Sequence, residues 1–427
     1  MKARIAMLGL TAALAAGLVA AKDASLTKVS SSHAAEMIVH EWGTFTSCQD
    51  ARGQDIGGVN TDDEPVPPFV HDLIPGLISW GKGLPPELAA ATMRLETPVL
   101  YFYPPAHSPP RVESVSVEFL GGWLSQYYPN AIAVAPGISF YKNYIPVVGR
   151  LTSHTIGSLS WKNVLVGVSP GGPVTNDPVW TCPRQVHAAY VRATDGEVER
   201  FLFYRGVGHV RSPLSVVRSD YGLGHNLTVR VAGRYGRMGL VRYIRHMWLC
   251  DFRGDGAVAF RSLGNVRPEN GSGGRLAKFS DDFSAGDYSF ANLQTLRAGM
   301  HAALVADGLY PDEATAMLNT WKKSYFKAYG ERLFFIVPRA WTNHYLPLQL
   351  TPQARVTRVM MGRIELITPE QKAIAVAMAK IKQGDPRLEH NVPAQLLLLL
   401  YYAQLGRFRA AIITHEREQL MREAPVR

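Results

Sequence analysis

Long apolar runs are missing from this chain. A spanning helix takes about 20 apolar residues. Ile5–Val19 and Ala394–Tyr402 both fall short of that, so no membrane span is expected. Familiar enzyme signatures are missing as well. There is no Gly-x-Ser-x-Gly elbow, which removes the commonest serine-hydrolase architecture, and no His-Glu-x-x-His zinc pair. Gly206-Val207-Gly208 lacks a third spaced glycine and a following long helix, so it is no nucleotide fingerprint. Without a Cys-x-x-Cys-His run, covalent c-type haem is not expected. Cysteine is scarce: Cys48, Cys182 and Cys250. An odd count cannot pair fully, and a chain of this length needs no disulfide framework. Cys182 and Cys250, both in strand-like surroundings, are the expected pair if any forms. Aromatic-interleaved basic tracts are absent too, which argues against a nucleic acid partner.

What is present is a globular composition with a basic balance. Apolar residues make up 47% and charged residues 19%, which describes a folded chain rather than a disordered one. A formal net charge of +10 favours anionic surroundings. At the N-terminus, Lys2 and Arg4 precede Ile5–Val19, and Val19-Ala20-Ala21 offers small residues for cleavage before Lys22. That pattern reads as a secretory signal peptide over residues 1–21, with a Ser- and Ala-rich linker over 22–36. The expected location is periplasmic or secreted. The expected partner there is an anionic glycan or another cell-envelope component.

The rest of the chain divides by hydrophobic period. Residues 37–290 read as a β-rich body, with strands over Thr97–Tyr103, Val112–Phe119, Ser158–Val168, Val186–Thr194, Glu197–Tyr204, Leu227–Ala232, Leu240–Phe252 and Ala257–Ser262. Asp195-Gly196 and Asp255-Gly256 mark tight hairpins, because Asp-Gly tolerates positive φ. Residues 49–75, around Thr61-Asp62-Asp63-Glu64-Pro65, read as a loop or lid. Residues 291–427 read as helical: one stripe runs Leu293, Leu296, Met300, Leu304, and a second helix opens at Pro311-Asp312-Glu313. Two further strands, Arg332–Val337 and Arg355–Ile367, precede a helix from Pro369 and a helical hairpin over 391–421 broken at Gly406. The expected fold is α+β: an antiparallel β-sandwich-like body, then a helical C-terminal part with two further strands packed on it. Residues 37–75 are expected to cross a sheet edge.

The most distinctive stretch is Val39-His40-Glu41-Trp42-Gly43-Thr44-Phe45-Thr46. It resembles the opening of a family of exported bacterial proteins that begin with HEWGTFT. The resemblance extends through Arg94–Tyr103, Gly122-Trp123-Leu124 with Tyr127-Tyr128-Pro129, Phe203–Gly208, Trp321–Phe326, Val337-Pro338-Arg339 and Val359–Glu365. It implies export and carries no catalytic assignment.

Three sets of side chains carry candidate chemistry. His40, His71 and Asp72 offer imidazole and carboxylate for a divalent metal such as zinc, with His40 and Glu41 as catalytic groups. Adjacent residues on an extended strand point to opposite faces, so His40 and Glu41 converge only if a turn leads into Gly43. The alternative places His40 in a buried strand, with Trp42 and Phe45 in the core. Second, if the Asp195-Gly196 ladder continues, Cys182 faces His209 with His187 nearby, a Cys-His arrangement suited to metal or nucleophilic chemistry. Third, Arg205, Arg339 and Arg363 offer planar forks for carboxylate or sulfate, and Tyr101 and Tyr127 offer stacking faces for sugars. Against that, Arg94–Glu96 and Arg363–Glu365 also fit same-face pairs that stitch a sheet together by roughly 0.2–1 kcal/mol each. The function read from these sets is a divalent-metal-dependent exported hydrolase. The alternatives are a non-catalytic envelope or acidic-glycan-binding β-sandwich protein, or an assembly factor with no small-molecule site.

Overall fold

The computed structural model describes residues 36–61, 65–74, 84, 88–141, 145–219, 226–232, 235–263, 275–280, 282–382 and 400–423. The signal peptide and linker, the Asp62-Asp63-Glu64 centre of the acidic loop, and the first part of the final hairpin lie outside the described residues. The fold is a mixed α and β structure. Among the described residues is a 15-stranded, mostly antiparallel sheet, with helices gathered in the C-terminal part.

The centre of that sheet holds β1 (Ile38–Gln49), β2 (Met93–Tyr103), β3 (Leu202–Gly208), β4 (Gly330–Ile336) and β5 (Arg355–Leu366), in the spatial order β3-β2-β1-β5-β4. The HEWGTFT segment is β1. It pairs antiparallel with β2 and parallel with β5 along its whole length, from Ile38↔Arg355 to Gln49↔Leu366. It therefore lies in the sheet interior and not across an edge, which corrects the sequence expectation. The cause is burial on both faces. Val39 and Phe45 join one apolar cluster with Leu95, Met360 and Trp341. Trp42, on the other face, joins Trp248, Leu296, Met317 and Trp321. A doubly buried strand usually reads as a continuous apolar run. This one does not, because His40, Glu41, Thr44, Thr46 and Gln49 are matched by protein partners.

The helices α1 (Ala291–Ala306) and α2 (Pro311–Thr320) supply the cover on the Trp42 face. The opposite cluster takes residues from the strands Arg111–Leu120 and Ile156–Val168 and from two strands, Leu214–Ser219 and Asn226–Val231, of a separate three-stranded sheet. The two late strands are β4 and β5, and they enter the main sheet beside β1. Two further helices, α3 (Pro369–Lys382) and α4 (Arg409–Glu423), follow. Gly406, with φ of +70°, stands before the second of them, at the expected break.

Gly43 is required by a close approach. The β1–β2 register shifts between Trp42 and Thr44, opposite Thr97, which has φ of +48°. A Cβ on Gly43 would stand 2.9 Å from Pro98 Cγ and 3.0 Å from Pro98 Cα. The glycine thus accommodates a bulge and does not turn the chain.

The Asp255-Gly256 hairpin forms, pairing Met247–Phe252 with Val258–Leu263, its first strand beginning later than the expected Leu240. The Asp195-Gly196 hairpin is short, with only Tyr190–Arg192 and Val198–Glu199 in strands. Upstream, Pro178–Thr181 forms a helical turn in which the Asp177 side chain accepts from the Val179 N–H, with Pro178 in its first turn. The ladder cannot reach Cys182, so the expected Cys182–His209 juxtaposition is not formed. Instead His187 hydrogen-bonds Asp312, and His209 Nδ1 lies 2.8 Å from Ala90 O. All three cysteines are free. Thiol titration of the denatured, unreduced chain is expected to return three groups per molecule, and a count of one would mean that Cys182 and Cys250 do meet.

Candidate functional site

The polar side chains of β1 alternate between two buried networks. On the helical face, His40 is 4% exposed and its Nδ1 lies 2.8 Å from Glu313 Oε2. Glu313 sits in the first turn of α2, after Pro311, where a carboxylate is favoured by the helix dipole. It also accepts from the Tyr103 hydroxyl at 2.8 Å and from the Tyr310 N–H at 2.6 Å. The His40 ring rests against Tyr310 and Tyr103, with centroids at 4.5 and 5.3 Å. Burial, and then the Glu313 charge, push the Tyr103 phenol far above its ordinary value, so it stays protonated and donates to Glu313.

On the other face, Glu41 is fully buried. It accepts from the Tyr204 hydroxyl and from Arg358 Nε, each at 2.5 Å. Arg358 is its register partner on β5 and also donates to Leu346 O and Asn343 Oδ1. His40 and Glu41 thus face opposite sides of the sheet, each in a closed set of contacts. The turn that would bring them together is absent, because β1 stays extended through Gly43.

His71 and Asp72 lie elsewhere, on a two-residue strand beside Tyr127 and Gln126. His71 Nε2 is 2.9 Å from Glu197 Oε1 and its ring stacks on Tyr127 and Tyr128; Asp72 accepts from Gln126. His40 and His71 therefore serve different partners. No group of three or more His, Cys, Asp or Glu side chains among the described residues is placed to hold a metal ion. The zinc set His40, His71, Asp72 is not brought together.

Of the five residues proposed to bind ligand, four are buried: Arg205 at 1%, Arg363 at 1%, Tyr101 at 0% and Tyr127 at 8% exposure. Tyr101 donates to Pro183 O. Arg363 pairs with Glu365, which also meets Arg332, while Glu96 holds Arg94 and Arg407 and accepts from Thr46. Burial lowers the pKa of Arg332 to about 10, with Glu365 opposing that shift. The same-face Arg–Glu pairs are thus parts of buried rows across the sheet.

Arg339 is the exception. Pro338 follows β4, and Arg339 opens the short helix Arg339–Tyr345 with its side chain exposed. It lines a cleft of about 490 Å³ with Arg242, Tyr243, Arg245 and Asp307. Arg245 pairs with Asp307 at 2.8 Å, and its Nη2 donates to the Tyr243 hydroxyl. No described carboxylate pairs with Arg242 or Arg339. Arg242 and Arg245 were missed in the sequence because they sit in an irregular segment that periodicity had assigned to a strand. The strand begins only at Met247.

No protein-family profile matches the chain, and no curated protein matches it in sequence. Among solved structures it is similar to the Fcho1 mu homology domain of Danio rerio with a bound Eps15 peptide. That match has 9% identity and a TM-score of 0.27, covering 78% of this chain and 94% of that one. It is also similar to the yeast delta-COP-I mu-homology domain complexed with a Dsl1 WxWxV peptide. There the identity is 8% and the TM-score 0.25, covering 78% of this chain and 96% of that one. Likeness at this level carries no functional assignment. No helix among the described residues is long and apolar enough to cross a membrane.

Proposed function

We propose that the chain is an exported, non-catalytic member of the HEWGTFT type that binds an anionic glycan of the cell envelope through its arginine cleft. The observation that carries this is the pair Arg242 and Arg339: two exposed guanidinium groups in one cleft, with no described carboxylate to neutralise them. Arg245 adds a third, already partnered by Asp307, and Tyr243 offers a ring for a sugar face. Guanidinium forks suit carboxylate and sulfate, which acidic polysaccharides present in repeated rows. The basic balance of the whole chain raises the local concentration of such a ligand. The HEWGTFT strand serves as the scaffold, in a body whose main and small sheets pack as a sandwich around the shared apolar cluster. Burial of His40 and Glu41 in closed contacts favours this reading over a hydrolase built on them.

The test is binding of the purified mature chain to uronic-acid and sulfated glycans. Wild type is expected to bind an acidic glycan, and Arg242→Ala with Arg339→Ala to weaken it about tenfold or more, the equivalent of about 1.4 kcal/mol. Binding is also expected to fade as salt rises toward about 1 M, where the screening length falls to about 3 Å. Binding that survives both changes, or no binding to any acidic glycan, would overturn the proposal.

A further inference from the structure

The parallel strands β1 and β5 end together, at the register pair Gln49↔Leu366. The residues that follow them, Asp50, Ile367 and Thr368, line a cavity of about 690 Å³. Its opposite wall is built by α3, through Lys372 and Val376, and by α4, through His415, Glu416 and Leu420. The volume falls within the range of about 300–1,000 Å³ that small-molecule sites occupy. Crevices outside the carboxyl ends of parallel strands are a recurring place for ligands.

Most charges in this cavity are already engaged. Asp50 accepts from the backbone N–H groups of Arg52 and Gln54 and from the Arg52 side chain, and His415 Nε2 lies 3.8 Å away. Arg218 is held by Glu331 at 2.5 Å. Glu416 differs. The residue is only 5% exposed, yet its carboxylate makes no hydrogen bond or ion pair with any described residue, and its oxygens are open to the cavity. Burial raises its pKa above the ordinary carboxylate value, with Lys372 opposing that shift. A carboxylate on a cavity wall with no protein donor can take the cationic end of a ligand in place of water. Lys372 is the matching group of opposite sign. It is exposed on α3, and its ammonium has no carboxylate within ion-pair distance among the described residues.

We propose that this cavity binds a zwitterionic ligand of the apolar amino-acid or short-peptide class, its ammonium on Glu416, its carboxylate at Lys372 and its apolar body against Ile367, Val376 and Leu420. A simple anion is disfavoured because the unengaged carboxylates of the wall, Glu416 and Glu423, are negative. A simple amine leaves Lys372 without a counter-charge. A metal ion lacks a described set of ligands. This site is independent of the arginine cleft.

Calorimetric titration of the full mature chain tests it with four probes: L-leucine, L-leucyl-L-leucine, 3-methylbutylamine and 4-methylpentanoate. At least one of the zwitterions is expected to bind, with the free amino acid and the dipeptide distinguishing the two sources of the chemistry. The amine and the acid, each lacking one charge, are expected to bind at least about tenfold more weakly. Glu416→Gln should weaken the zwitterion about tenfold or more, with a melting temperature no lower than wild type. Lys372→Met, at an exposed position, keeps the test open if the first variant does not fold, and should weaken binding as well. Absence of zwitterion binding, equal binding of the amine, or unchanged affinity in Glu416→Gln or Lys372→Met would overturn the proposal.

Discussion

Arg358→Ala is expected to cost about 3–5 kcal/mol of folding stability, because it leaves a buried carboxylate without its cation. Glu41 has no solvent exposure, and its two oxygens are taken by Tyr204 and Arg358. Tyr204 cannot supply the missing positive charge, because a phenol is neutral or anionic; burial, and then the Glu41 charge, hold it well above its ordinary value and so neutral. The double variant Glu41→Gln with Arg358→Met removes both charges and is expected to recover more than half of the loss, since a buried ion pair is strained mainly when it is halved. Urea or guanidinium denaturation of the three proteins measures this. A cost below about 1 kcal/mol for Arg358→Ala would mean that water reaches Glu41, and would reopen its use as a catalytic base.

Parts of this arrangement were legible in the sequence. The opposed directions of His40 and Glu41 follow from strand geometry alone, and they face opposite sides of the sheet. Arg94–Glu96 and Arg363–Glu365 share faces at spacing i, i+2, and both occur as ion pairs. Proline and acid at Pro311-Asp312-Glu313 marked the start of α2. The partners that decide each residue's role could not be read, because they come from far along the chain. Glu313 is 273 residues from His40, and Arg358 is 317 from Glu41. Local pattern therefore gives the direction of a side chain but not whether a cleft or a helix waits there. The Cys182 error has a local cause: Asp177-Pro178 is a helix start, and that signal outweighed the hairpin extrapolated from Asp195-Gly196.

Trp42→Ala is expected to be as damaging as breaking the ion pair, at about 3–5 kcal/mol, while Trp42→Phe should cost less than about 1.5 kcal/mol. The indole is fully buried between β1 and the helical layer, with its ring edge-on to Trp321 at 5.3 Å and tilted against Tyr101 at 6.1 Å. Truncation removes both contacts and leaves a cavity in a cluster that ties the sheet to α1 and α2. Phenylalanine keeps a ring in place. It also deletes an indole N–H that is buried and finds no acceptor among the described residues. Leaving a donor unsatisfied costs about 1–3 kcal/mol, so its removal offsets much of the area lost. The two variants separate by chemical denaturation of the mature chain. If Trp42→Phe were as costly as Trp42→Ala, the indole N–H would have to be engaged by a bound group, and the central residue of the motif would belong to a site and not to the core.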